Sequence, residues 1–158
     1  MYRLVLYCLL ALNAIATAFS FLGILRFNGW QIIFSTVFLV IVAWVTNTVL
    51  AKVFKAPTNL ESVYISALIL SLIIFPAKNV SDLMFLFWAA VLTMASKFIL
   101  AVHKKHIFNP VAIAVFLTSI SSIGSATWWV GQATMLPFVI IVATLVIRKI
   151  DRVSMTVS

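Results

Sequence analysis

Residues 30–54 read WQIIFSTVFLVIVAWVTNTVLAKVF, and this stretch decides the fold class. It carries a single charged side chain, Lys52, near its end. At about 1.5 Å of rise per residue, a helix of this length more than crosses the ~30 Å hydrocarbon core of a bilayer. Three further runs reach spanning length on the same arithmetic: Leu4 to Leu25, Leu83 to Val102 and Trp128 to Ile147. The sequence therefore predicts an all-α, polytopic membrane helical bundle with four full spans.

Two other apolar stretches are too short to cross as straight helices. Val63 to Phe75 is closed by Pro76, and Val111 to Ile120 is opened by Asn109-Pro110. Short, proline-interrupted apolar segments predict half-helices whose irregular ends are buried in protein or line a cavity. Asn59 and Ser62 are candidate caps for the first of them, with Glu61 in its first turn.

Composition agrees with this reading. Of 158 residues, 65% are hydrophobic and 9% charged, so the apolar surface needs lipid as well as protein to cover it. The net charge of +8 arises from basic residues between apolar runs and not from a basic face or arm. Their expected partner is an anionic leaflet, and nucleic acid is not expected. If all six segments cross, Arg3, Lys52, Lys55, Lys104, Lys105, Arg148, Lys149 and Arg152 gather on one side, with Arg26 and Lys78 opposite. The alternative, in which the short segments return to the side they came from, moves Lys78 in and Lys104 and Lys105 out. The first arrangement is preferred because basic loops stay cytoplasmic, and both arrangements put the two termini inside a cell membrane. Trp30, Trp128 and Trp129 fall where interfacial anchors belong on the outer side.

The first run resembles a signal-peptide core only superficially, since it continues to Leu25 and has spanning length. Residues 1–152 are expected to form one transmembrane domain. Residues 153–158 form a short, moderately apolar tail, as if the chain were part of something longer.

Few side chains offer chemistry. Cys8 is the lone cysteine, so an intrachain disulfide and a thiolate cluster are ruled out. The acids Glu61, Asp82 and Asp151 all sit at predicted membrane edges, which argues against a carboxylate proton wire within this chain. His103 and His106 lack a third ligand, so no metal site is expected, and no nucleophile elbow, phosphate loop or catalytic dyad is present. No residue is assigned a catalytic role, and the chain has no self-contained active site.

Lys97 stands out because it lies within an apolar span, where an ionisable group is functional by default unless it snorkels to the interface. A buried ammonium there suits a phosphate or a flavin carbonyl. Asn109 before Pro110 is a helix N-cap followed by proline at the first helical position, a start that presents free N–H groups to an anion or carbonyl, or else simply caps a helix.

At His106-Ile107-Phe108-Asn109-Pro110 the sequence resembles the RnfD/NqrB family, the polytopic flavin-carrying subunits of Rnf complexes and of sodium-pumping NADH:quinone oxidoreductase. Ser96-Lys97-Phe98, the run Ser66 to Leu72 leading to Pro76, Thr127-Trp128-Trp129, and Leu136-Pro137 before Arg148-Lys149 are also similar. The resemblance covers roughly the N-terminal half of such a protein. It implies a subunit of an electron-transport oxidoreductase complex, with or without ion translocation, partnered by other membrane subunits or by a second copy of itself. It also implies a flavin, either riboflavin or FMN held between helices near Lys97, Phe108, Asn109 and Pro110, or FMN attached to Thr127. The latter follows from Gly124-Ser125-Ala126-Thr127, which resembles the family's attachment motif; read by its surroundings alone, Thr127 is an interfacial turn. Ring-stacking is expected from Phe108, Phe116, Trp88 or Trp44. The competing expectation is a transporter or channel for a small solute or vitamin, because paired half-helices at a midplane site are equally a transporter's architecture.

Overall fold

The computed structural model describes residues 2–99, 101–102, 105–106, 109–120 and 127–156. Six helices follow in order: α1 (Tyr2–Phe21), α2 (Gly29–Phe54), α3 (Leu60–Ile73), α4 (Val80–Ile99), α5 (Pro110–Ile120) and α6 (Leu136–Thr156). Ala101–Val102 pairs antiparallel with Lys105–His106 in the connection between α4 and α5, and a turn of 3₁₀ helix spans Trp129–Gly131. Three helices, α1, α2 and α4, are long and apolar enough to cross a membrane, while α3 and α5 are shorter apolar helices.

Local chemistry sets the boundaries. Asn28 and Gln31 form a reciprocal capping box that starts α2. Lys55, in the left-handed conformation at φ 48, ends it. The apolar run of α1 continues to Leu25, but the helix stops at Phe21 because Gly23 turns the chain at φ +73, a conformation that glycine adopts without steric cost. Asp82 accepts hydrogen bonds from the backbone N–H groups of Lys78 and Asn79 and so fixes the start of α4.

The fourth expected span, Trp128 to Ile147, is not one helix. Trp128 is left-handed, Trp129–Gly131 is 3₁₀, and α6 begins only at Leu136, with Pro137 in its first turn where the missing N–H is harmless. The helix then continues beyond Arg152 to Thr156, through residues expected to be tail.

Contacts at the helix ends fix the directions. Ala77, just before α4, donates to Ser35 Oγ near the start of α2 (2.9 Å), and Phe54 at the end of α2 stacks on Phe98 near the end of α4 (5.8 Å). Thus α2 and α4 run parallel. Lys97 of α4 meets Ser62 at the start of α3, Ser96 Oγ lies 3.5 Å from the Pro110 carbonyl at the start of α5, and Phe19 of α1 packs edge-on against Phe138 of α6. Neighbouring helices therefore alternate in direction all the way along the chain. A re-entrant α3 would have made α4 antiparallel to α2.

The inward face of α2 mixes small and polar residues with a few large ones, while its outward face is large and apolar. The buried stripe of α2 is Gly29, Ile32, Ser35, Leu39, Ala43, Asn47 and Ala51. Its exposed stripe includes Phe34, Val37, Ile41, Trp44 and Val49. Water would not tolerate that outer face. Lipid does, and small inward residues let the backbones approach.

Candidate functional site

α3 is tied at both ends, and the two ties hold the candidate residues. Its N-terminal end begins with Asn59, whose side chain accepts from the Ser62 N–H. Glu61 in the first turn pairs with Arg3 at 3.0 Å, the only ion pair among the described residues. Ser62 is where Lys97 arrives: Nζ donates to the Ser62 carbonyl at 2.8 Å and to its hydroxyl at 3.1 Å.

Lys97 is only 9% exposed, although it lies in the last turn of α4. It does not snorkel to the surface. Its ammonium faces neutral oxygen partners, and no carboxylate accompanies it among the described residues. The positive end of the α3 dipole adds to this uncompensated positive charge. A cation with this surplus attracts an anion or a polarised carbonyl.

Asn109 and Pro110 belong to the same end of the bundle. Asn109 Oδ1 accepts from the Val111 N–H at 3.1 Å, so the expected cap with proline at the first helical position is present. The Ser96 contact to Pro110 places this start beside the residue that precedes Lys97.

Thr127 lies elsewhere. Its backbone N–H and that of Trp128 both donate to the Ile73 carbonyl at 3.0 Å, at the far end of α3. Ser62 and Ile73 are eleven residues apart, about 16 Å along the helix. The structure thus puts Lys97 and the Asn109-Pro110 helix start at one end of the bundle and Thr127 at the other. Phe108, His103, Lys104 and the stretch Gly124-Ser125-Ala126 lie outside the described residues. Of the stacking candidates, Trp44, Trp88 and Phe116 are exposed on the outer surface of this chain, where they meet lipid or a partner and not an internal ring.

At the far end of α3, Trp129, expected as an interfacial anchor like the exposed Trp30 and Trp128, is instead buried in the bundle. Trp129, 1% exposed, donates its indole N–H to the Ser71 carbonyl at 3.1 Å and the Ile74 carbonyl at 2.9 Å. These are carbonyls that a helix C-terminus leaves unpaired, and in a bilayer they need a protein donor. Phe27 and Phe75 close over the site, Phe27 packing against Trp129 at 5.4 Å and against Phe75 at 5.3 Å. Deeper in, Asn13 of α1 accepts from Ser71 Oγ at 3.0 Å and from Thr36 Oγ1 at 3.4 Å, joining α1, α2 and α3. Asn13 and Asn47 are carboxamides within apolar runs, and that is the signal by which sequence could have marked them.

Compared with known protein families, with curated proteins and with solved structures, the chain matches none.

Proposed function

We propose that this chain is a multi-pass subunit, or half-subunit, of an electron-transport complex in a cell membrane, and that it helps to hold a flavin at the Lys97 end of the bundle. The observation that carries the reading is the buried Lys97 ammonium, held by Ser62 alone and without a carboxylate among the described residues. The residues fit such a group: among the described residues, one of the three ammonium protons has no partner and is available to a carbonyl or phosphate oxygen. Redox chemistry would come from the flavin, riboflavin or FMN. The chain's own part is to exclude water with apolar helices, to orient the bound edge through Lys97, and to place positive charge beside it. In this reading six segments cross, both termini are cytoplasmic, and other membrane subunits or a second copy cover the exposed apolar faces.

An absorbance spectrum of the full chain purified in mild detergent tests the proposal. A flavin spectrum, with colour released by acid precipitation, is the expected result, and colour retained in the pellet would transfer the attachment to Thr127. A colourless, folded protein would set the flavin reading aside in favour of a small-solute transporter. One observation favours that second reading: α3 ends inside the bundle with its carbonyls closed by Trp129, as short helices do around transported solutes.

A further inference from the structure

Asn47 has no role in the site described so far, and its surroundings call for one. It sits on the inward stripe of α2, with Ala43 one turn before it and Ala51 one turn after. It is 4% exposed, and its Nδ2 is the one buried side-chain nitrogen or oxygen among the described residues without a hydrogen-bond partner. Asn13, also buried within a span, shows how a bundle normally satisfies such a group: Nδ2 donates to the Leu9 carbonyl and Oδ1 accepts from Ser71 and Thr36. Buried polar groups are seldom left unpaired, and an exception needs a cause.

The register of α2 and α4 brings Asn47 toward Lys97. Phe54 and Phe98 stack at the ends of these parallel helices, and Lys97 precedes Phe98. Asn47 lies seven residues before Phe54, about 10 Å along the axis. Both side chains lean toward the N-termini of these parallel helices, and because Lys97 is the longer it closes part of that offset.

The hydrogen-bond inventory gives the chemistry. Among the described residues, Lys97 uses two of its three N–H groups on Ser62 and keeps one, and Asn47 keeps both of its amide protons. The unused donors among the described residues are thus the third Lys97 N–H and the Asn47 amide. We propose that Asn47 contacts the same ligand as Lys97, and that this ligand presents carbonyl or carboxylate oxygens to both. The proposal deepens the reading given above and rests on its placing a ligand at Lys97.

Equilibrium titrations of the full chain in detergent, with riboflavin as the carbonyl probe and benzoate as the carboxylate probe, test this on wild type, Asn47→Leu, Asn47→Ala and Lys97→Met. The expected result is that at least one probe binds wild type, and that both Asn47 variants, folded by gel filtration and thermal melting, raise its Kd at least tenfold, as Lys97→Met does. Binding of benzoate but not riboflavin would uphold the role of Asn47 and overturn the flavin. Wild-type affinity in either folded Asn47 variant would overturn the role of Asn47 and leave the Lys97 site standing. Failure of both probes on wild type would overturn the ligand class itself.

Discussion

Asn13 and Ser71 meet at 3.0 Å, each ten residues beyond a partner of the Arg3–Glu61 ion pair, Asn13 along α1 from Arg3 and Ser71 along α3 from Glu61. The two helices are parallel and held at two levels with equal spacing. Of the two ties, the inner one has the greater consequence. The outer pair is exposed, at 80% and 36%, and such pairs contribute little.

Replacing Asn13 by Ala removes the shared acceptor of Ser71 and Thr36. We expect a loss of about 1–2 kcal/mol, at the upper end of measured interhelical hydrogen bonds in membranes, and a smaller loss for Ser71→Ala. Reversible unfolding in mixed micelles reads both. An Asn13→Ala protein as stable as wild type would show that the three-helix junction contributes nothing.

Trp129 combines an apolar ring with a single polar function. Trp129→Phe keeps most of the packing and leaves the Ser71 and Ile74 carbonyls without the indole N–H, at an expected cost of about 1–3 kcal/mol. Trp129→Ala also opens a cavity, for roughly 3–5 kcal/mol. Equal losses in the two variants would mean that the hydrogen bonds are irrelevant and only the ring matters.

Lys97 offers a test that separates stability from function. Its charge is buried without an acid, so Lys97→Met is expected to leave the ligand-free protein as stable as wild type or to stabilise it, by up to about 2 kcal/mol. The same change should abolish retention of the chromophore during purification. A strongly destabilised Lys97→Met protein would recast the lysine as a structural strut for α3.

In the proposed six-crossing arrangement Lys55 and Lys78 lie on opposite sides of the membrane. In a Cys8→Ser background, Lys78→Cys should react with an impermeant maleimide in intact cells, whereas Lys55→Cys should react only after permeabilisation. Labelling of both from outside would break the six-crossing arrangement.

Apolar runs made most of this bundle legible. The stretch expected at 30–54 is a helix from Gly29 to Phe54, and the short stretch at 63–75 is a helix from Leu60 to Ile73. The shifts arise because hydropathy marks what lipid or core will accept, whereas caps decide where helices begin and end. The run ending at Val102 belongs to a helix that begins three residues earlier than expected, at Val80, and ends at Ile99. The span expected from Trp128 is interrupted because Pro137 sits in the first turn of a helix and Trp129 closes the end of α3. Lys97 and the Asn109 cap were visible as isolated signals. Ser62 was legible only as a possible cap, because its lysine partner comes from thirty-five residues away. Asn47 was visible only as a carboxamide within an apolar run, because its significance is a missing partner, and sequence does not show what a side chain fails to touch.

The short length of α3 makes the bundle responsive to bilayer thickness. At 26 residues α2 extends to about 39 Å, whereas α1 and α4 at 20 residues extend to about 30 Å. In a thicker or thinner membrane these three helices adjust by tilting, at a cost of fractions of a kcal/mol per ångström. α3, at 14 residues, is held by protein at both ends and has no free length with which to follow. Tilting of its neighbours is therefore transmitted to the contacts at its ends, Lys97 with Ser62 and Trp129 with Ser71 and Ile74. A change in lipid chain length becomes a mechanical input to the lysine at which a ligand is proposed.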